Sequence, residues 1–243
     1  MRIQRIVNIK TLTMILLFCA FTIKLQSQNN YSEKALTGRG DLQLIGDRVK
    51  LQPEVYEAFE KMRLAALKDS VHIEIASGYR SFKRQQLIWN EKYKKFINRG
   101  LSPNQSIKKI LDYSTFPGTS RHHWGTDIDI YDGSVKAPKN VLNEINFNDG
   151  GVYERLKNWM DENSEKYGFS LVYTNNGHRK GIKYEPWHYS YKALSKNMLA
   201  EFLSIDFQKF IKTIDLLGKN EFELNYLELY FEEQIKDINP AFK

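Results

Sequence analysis

The chain has 243 residues, with 36 Lys and Arg against 29 Asp and Glu, a formal charge of +7 and a single cysteine. That length suits one generous domain or a domain with an appendage. One thiol excludes a disulfide framework and a cysteine-rich metal site, and the +3 that remains once the four basic residues of 1–27 are set aside gives no argument for nucleic acid.

Residues 1–27 predict a secretory signal. Arg2, Arg5 and Lys10 form a positive opening, Leu12 to Ile23 is almost wholly apolar, and Ser27 offers a small residue before a cleavage point. The apolar run is short for a membrane span, and the other reading is an uncleaved anchor. Cys19 follows the large Phe18, a poor match to a lipoprotein signal, and is read as part of the apolar segment. Processing would remove Arg2, Arg5, Lys10 and Lys24 and no acid, lowering the formal charge from +7 to +3. The expected location is the periplasm or cell envelope, with membrane contact only through the signal during export.

Residues 28–49 read as a polar N-terminal arm, aperiodic over 28–40. Pro53 opens a helix with Val55, Phe59, Met62 and Ala66 on one stripe. Val71 to Ala76 alternates as a strand whose polar face carries His72 and Glu74, so His72 is expected in solvent. The turn Ser77-Gly78-Tyr79-Arg80-Ser81 leads into a helix over 82–97, and a shorter helix is expected after Ser102-Pro103. Residues 115–120 form a breaker loop. Thr126 to Tyr131 alternates, with Asp127, Asp129 and Tyr131 on one face and the isoleucines on the other. Residues 152–166 predict a helix ending at Gly168, 169–173 and 188–191 are strand-like, and the chain from Lys192 is largely helical. The fold class is α+β: helices packed on a small antiparallel sheet, with a helical C-terminal extension over 192–243.

Two fragments, Ser120-Arg-His-His-Trp-Gly-Thr-Asp-Ile-Asp129 and Glu185-Pro-Trp-His188, supply the parts of a zinc site carried by that sheet. His122, Asp129 and His188 make two imidazoles and a carboxylate, a donor set that catalytic zinc uses with one position left open. His123 is adjacent to His122 and could replace it. The odd offset from His122 to Asp129 requires a turn near Gly125, where a missing side chain makes one possible. Pro186 disfavours helical geometry at Glu185, so an extended approach and a bend would aim Glu185 and His188 into one cavity. Glu185 is then a spare carboxylate able to take a proton from an attacking water. His178 has no partner pattern.

These fragments resemble the zinc D-alanyl-D-alanine carboxypeptidase and dipeptidase family, which includes the vancomycin-resistance carboxypeptidases and has L,D-carboxypeptidase relatives. The family motif Ser-x-His-x-x-Gly-x-Ala-x-Asp is met by Ser120, His122, Gly125 and Asp129. Its Glu-Pro-Trp-His is met by residues 185–188, and its Ser-Gly-Tyr-Arg-Ser by residues 77–81, with a glutamine following at Gln85 or Gln86. The resemblance covers residues 50–191, the zinc peptidase domain, and three ordered motifs make it specific.

The resemblance implies one zinc per chain on His122, Asp129 and His188, with Glu185 as general base and then acid. Arg80 would face the substrate carbonyl or terminal carboxylate, and Ser120 and Gln86 would contact substrate. The partners implied are peptidoglycan stem peptides, cut by a D,D- or L,D-carboxypeptidase; the alternatives are a cross-link endopeptidase and a non-catalytic zinc-containing binding module, as the fold is reused in the hedgehog signalling domain. Asp127 stands where the family has alanine; it could orient His123 or Arg121, alter substrate choice or face solvent.

Overall fold

A computed structural model describes residues 31–222 and 224–243. The expected signal segment, with Cys19, lies outside the described residues. Among the described residues no helix is long and apolar enough to cross a membrane.

The expected helices form where their caps and apolar stripes place them. Helix α1, Glu33–Leu36, was not expected: it is a single turn within the arm, capped by Ser32. Helix α2, Pro53–Lys68, begins with Pro53 and buries Val55, Phe59, Met62 and Ala66. The Ser81 hydroxyl caps α3, Phe82–Ile97, by accepting from the Arg84 amide. Helix α4, Pro103–Leu111, starts with a reciprocal box between Ser102 and Gln105. Helix α5, Glu154–Asn163, runs into a tighter turn, Ser164–Tyr167, and ends at Gly168 with φ +83°.

Four antiparallel strands, β1 (Ile73–Ser77), β2 (Asp127–Asp132), β3 (Phe169–Leu171) and β4 (His188–Tyr191), form one sheet in the order β1-β2-β4-β3. One face is apolar throughout: Ile73, Ile75, Ile128, Ile130, Phe169 and Tyr189 pack with α2 and with Leu156, Trp159 and Met160 of α5. The other face is polar, and register decides what meets there. Asp129 stands opposite His188 on one side and Ser77 on the other. The β1–β2 register slips between Ile75 and Ser77, and this bulge brings Ser77 to the face that carries Asp129.

Helices α6 (Lys192–Phe202), α7 (Phe207–Thr213) and α8 (Leu224–Tyr230) follow the sheet. Met198, Phe202, Phe210 and Tyr230 share one apolar cluster with Trp89 of α3, Ile107 and Ile110 of α4, Phe116 and Trp124. Hydrogen bonds reinforce that packing: Trp89 Nε1 donates to the Leu217 carbonyl, and the Phe116 amide donates to the Tyr230 hydroxyl.

The arm is more structured than its aperiodic composition suggests. Ala35 and Leu36 are buried, Trp124 Nε1 donates to the Leu36 carbonyl, and the Phe82 amide donates to the Gly38 carbonyl. Its order comes from these distant partners, which leave no local periodicity to read.

Candidate active site

Three chain segments converge on the polar face of the sheet. The loop after β1 is held down by backbone bonds from Tyr79 to the Lys50 carbonyl and from Arg80 to the His122 carbonyl. Gly78 is needed there, because a Cβ would stand 2.5 Å from Val49 and 2.9 Å from the Lys50 carbonyl oxygen. The second segment is a 3-10 turn, Arg121–Trp124, closed by Gly125 at φ +65°. It turns the chain between His122 and β2, so that His122 comes from the loop and Asp129 from the strand. The third is the turn Glu185–His188, in which the His188 amide donates to the Glu185 carbonyl before the chain enters β4.

One donor atom from each of His122, Asp129 and His188 lies within 4.8 Å of the others, and all three residues are buried. His122 Nε2 is 3.2 Å from Asp129 Oδ2, and His188 Nδ1 is 3.2 Å from Asp129 Oδ1. The opposite nitrogen of each ring is spoken for. His122 Nδ1 is 2.8 Å from the Gly78 carbonyl, which can only accept, so Nε2 keeps its lone pair for the centre. His188 Nε2 is 2.8 Å from Asp127 Oδ2, which leaves Nδ1 facing inward. This is the arrangement by which backing acceptors orient metal-binding imidazoles.

The donor set fits a dication. Asp129 Oδ1 is buried and has no hydrogen-bond partner, a costly state that a cation would relieve. Burial opposes the charge on Asp129, but His122 and His188 hold its pKa well below the usual carboxylate range. Burial also opposes a charge on His188, yet the Asp127, Asp129 and Glu185 carboxylates around it lift its pKa well above the ordinary value. A site that draws positive charge so strongly suits a metal ion of the N2O type that zinc favours.

Glu185 Oε2 lies 3.1 Å from His188 Nδ1, beside the donors, and the side chain is buried. Burial pushes its pKa up, with Asp129 adding to the rise and His188 opposing it. Arg80 Nη2 is 3.8 Å from Asp129 Oδ2, and the guanidinium is held by the Gln85 side chain at 2.9 Å and Ser77 at 3.0 Å. Ser120, Arg80 and the metal-donor residues line a cleft of about 650 Å³.

Two other candidates fall elsewhere. Gln86 does not reach the cleft; its amide donates to the Asp215 carbonyl, and Gln85 occupies the position beside Arg80. Helical phase explains the correction, because Gln85 lies one turn before the buried Trp89. His123 points away from the donors. Its Nδ1 is 2.5 Å from the Arg80 carbonyl, and its Nε2 accepts from the Gly118 amide. Burial pushes its pKa down to about 3. His72 and His178 are exposed.

Asp127 has a place that its sequence position alone left open. It is 0% exposed and accepts from Arg121 Nε at 2.8 Å, Ser190 Oγ at 2.6 Å and Thr126 Oγ1 at 2.8 Å, besides meeting His188. Arg121 also donates to Ser190 and lies between the rings of Trp124 and Phe242. The signal was the strand alternation, which put Asp127 and Asp129 on one side; the pairing of Asp127 with Ser190 was not readable locally.

Residues 48–194 match the VanY family, described as D-alanyl-D-alanine carboxypeptidase. A D-alanyl-D-alanine carboxypeptidase of Enterococcus faecalis is 31% identical over 149 residues, which are 60% of this chain and 49% of that protein. The VanXYC protein of Enterococcus gallinarum, named as a bifunctional D-Ala-D-Ala dipeptidase and carboxypeptidase, is 31% identical over 60% of this chain and 69% of its own length. The chain thus spans about half the length of relatives such as the E. faecalis protein. Among solved structures, a VanY D,D-pentapeptidase mutant in complex with Zn(II) superposes with a TM-score of 0.54 at 23% identity, covering 76% of this chain and 95% of that one. VanYB in complex with D-alanine-D-alanine gives 0.53 at 23% identity, covering 73% and 92%. With a match across more than half its length, the chain belongs to the VanY D-alanyl-D-alanine carboxypeptidase family.

Proposed function

We propose that this protein is an exported zinc peptidase that trims peptidoglycan stem peptides, acting as a D,D- or L,D-carboxypeptidase. The observation that carries the reading is Glu185. A binding module has no use for a buried carboxylate beside three metal donors, whereas a hydrolase needs one to move a proton. Export rests on the charge and apolar pattern of residues 1–27; the first residue of the protein recovered from the cell envelope tests it, and a retained Met1 would oppose cleavage.

His122, Asp129 and His188 would hold the metal. Zinc at that position supplies a Lewis acid that polarises a scissile carbonyl and makes water acidic near neutral pH. The chain's own residues do the rest. Glu185, beside the donors, takes the proton of the attacking water and returns it to the leaving amine. Arg80, already anchored by Gln85 and Ser77, presents its charge to the developing oxyanion, a contribution worth about 3 kcal/mol in comparable sites. Asp127 and the Gly78 carbonyl keep the two imidazoles turned toward the centre.

Purified protein with added zinc, incubated with defined tetra- and pentapeptide stems, should release a single terminal residue, read by mass. Cleavage of an internal bond in cross-linked dimers, with free ends untouched, would make it an endopeptidase. Binding of the stems without cleavage would make it a module.

A further inference from the structure

One wall of the cleft is rich in cations, and Lys92 on it is paired with no acid among the described residues. Gln85, Ile88, Lys92, Phe96 and Arg99 fall at intervals of three or four residues along α3 and the turn after it, so one helix face lines the cleft; Lys95 joins them. Lys92 is half-buried, and among the described residues its ammonium has neither an ion pair nor a hydrogen bond. Its surroundings are mostly of like sign. Burial lowers its pKa, Arg80 and Lys95 add to that, and Glu185 is the acid whose charge reaches it.

The remaining acids in the cleft are committed elsewhere or leave Lys92 unpaired. Asp129 and Glu185 belong to the metal centre. Asp112 takes Lys109 at 2.9 Å and Lys183 at 3.4 Å, and Glu144, in the short turn Glu144–Asn146, makes no ion pair with Lys92. A half-buried lysine among cations is unfavourable unless an anion arrives.

We propose that Lys92, with Lys95 and Arg99 behind it, forms a subsite for a carboxylate carried by the substrate. This deepens the peptidase reading and rests on it for the substrate's identity. Distance favours a carboxylate upstream of the scissile bond. Gln85 touches Arg80 at the chemical centre, and Lys92 is seven residues further along α3, about 10 Å at a helical rise of 1.5 Å. An extended peptide covers that in about three residues. Stem peptides carry carboxylates in that stretch, on the second residue, D-glutamate, and on the third where it is diaminopimelate.

The test uses synthetic L-Ala-γ-D-Glu-diaminopimelate-D-Ala-D-Ala and counterparts with lysine at the third position, D-isoglutamine at the second, or an amidated C-terminus. Affinities are measured by calorimetry on zinc-loaded Glu185→Gln protein, and KM and kcat on the active protein, each with and without Lys92→Met. Zinc content and melting temperature verify that the variants are folded. Lys92→Met should weaken binding of the fully acidic peptide about tenfold and raise KM while leaving kcat nearly unchanged. Removing the carboxylate that Lys92 reads should cost the parent protein a similar factor and the Lys92→Met protein almost nothing, and the peptide showing this identifies the source. An unchanged affinity, or equal losses on every peptide, would overturn the subsite. Lys92-dependent binding without hydrolysis by the active protein would uphold the subsite and sink the peptidase reading. Hydrolysis indifferent to Lys92 would do the reverse.

Discussion

Ile128 and Ile130 on one face of β2, and Asp127 and Asp129 on the other, are all shielded from water, but by different means. The isoleucines need only volume and contact, and the apolar cluster around α2 and α5 supplies both. The aspartates need a partner for each oxygen. Asp127 has four within the protein, while Asp129 retains a bare Oδ1 directed at the imidazoles. The comparison separates two uses of burial. One face is finished by the fold, and the other keeps a buried carboxylate oxygen without a partner where a cation would fit.

If the faces are energetically separate, substitutions on each should fail differently. The largest effect is expected at Glu185. Glu185→Ala should lower turnover by about 10²–10⁴-fold while zinc content stays near one per chain; loss of zinc in this variant would make Glu185 a ligand instead. His188→Ala should abolish both zinc binding and activity. On the apolar face, Ile130→Ala should cost about 2–5 kcal/mol of unfolding free energy, measured in urea, with the zinc affinity of the folded protein unchanged. A parallel fall in zinc affinity would show that the faces are coupled.

A smaller effect is expected at Asp127. Asp127→Asn keeps the shape but sets an amide against the His188 ring and leaves Arg121 without its acid. Zinc affinity, read by competition with a chelator, should fall about 10–100-fold. If affinity held, the His188 ring would be oriented by packing alone, with Tyr173 against it at 4.9 Å between ring centroids.

The smallest effect concerns His123, polar, buried and outside the metal centre. Its pKa is about 3 in the folded protein, against roughly 6.5 when unfolded. Between these values the unfolded chain binds the extra proton. The stability contributed by a neutral His123 is therefore complete above about pH 6.5 and is lost as pH falls toward 3, by up to about 1.4 kcal/mol per pH unit. Unfolding of metal-free His123→Asn in urea between these pH values should show a shallower slope than the parent. Parallel curves would mean that His123 carries its proton in the fold.

The sequence revealed most where a residue's role depends on near neighbours. His122, Asp129, Glu185 and His188 sit in short motifs whose turns are marked by Gly125 and Pro186, so their meeting in one place could be expected before any coordinates. Gln85 and Gln86 needed the phase of α3, which the buried Trp89 fixes. The backing of His188 was out of reach, because Asp127 meets Ser190 only through the pairing of β2 with β4, and Phe242 covers Arg121 from far along the chain. The arm was illegible for the same reason: Leu36 and Gly38 are ordered by Trp124 and Phe82.

The distance in sequence between the donors has a consequence for folding equilibria. His122 and Asp129 lie near one another along the chain, but His188 joins them only once β4 has paired with β2. The unfolded polypeptide therefore does not hold the three donors together, and bound zinc would favour the native state by mass action. Each tenfold rise in free zinc above its dissociation constant should add about 1.4 kcal/mol to the unfolding free energy. The melting temperature of this protein would then track the zinc supply of its compartment, and a chelator would act on it as a mild denaturant.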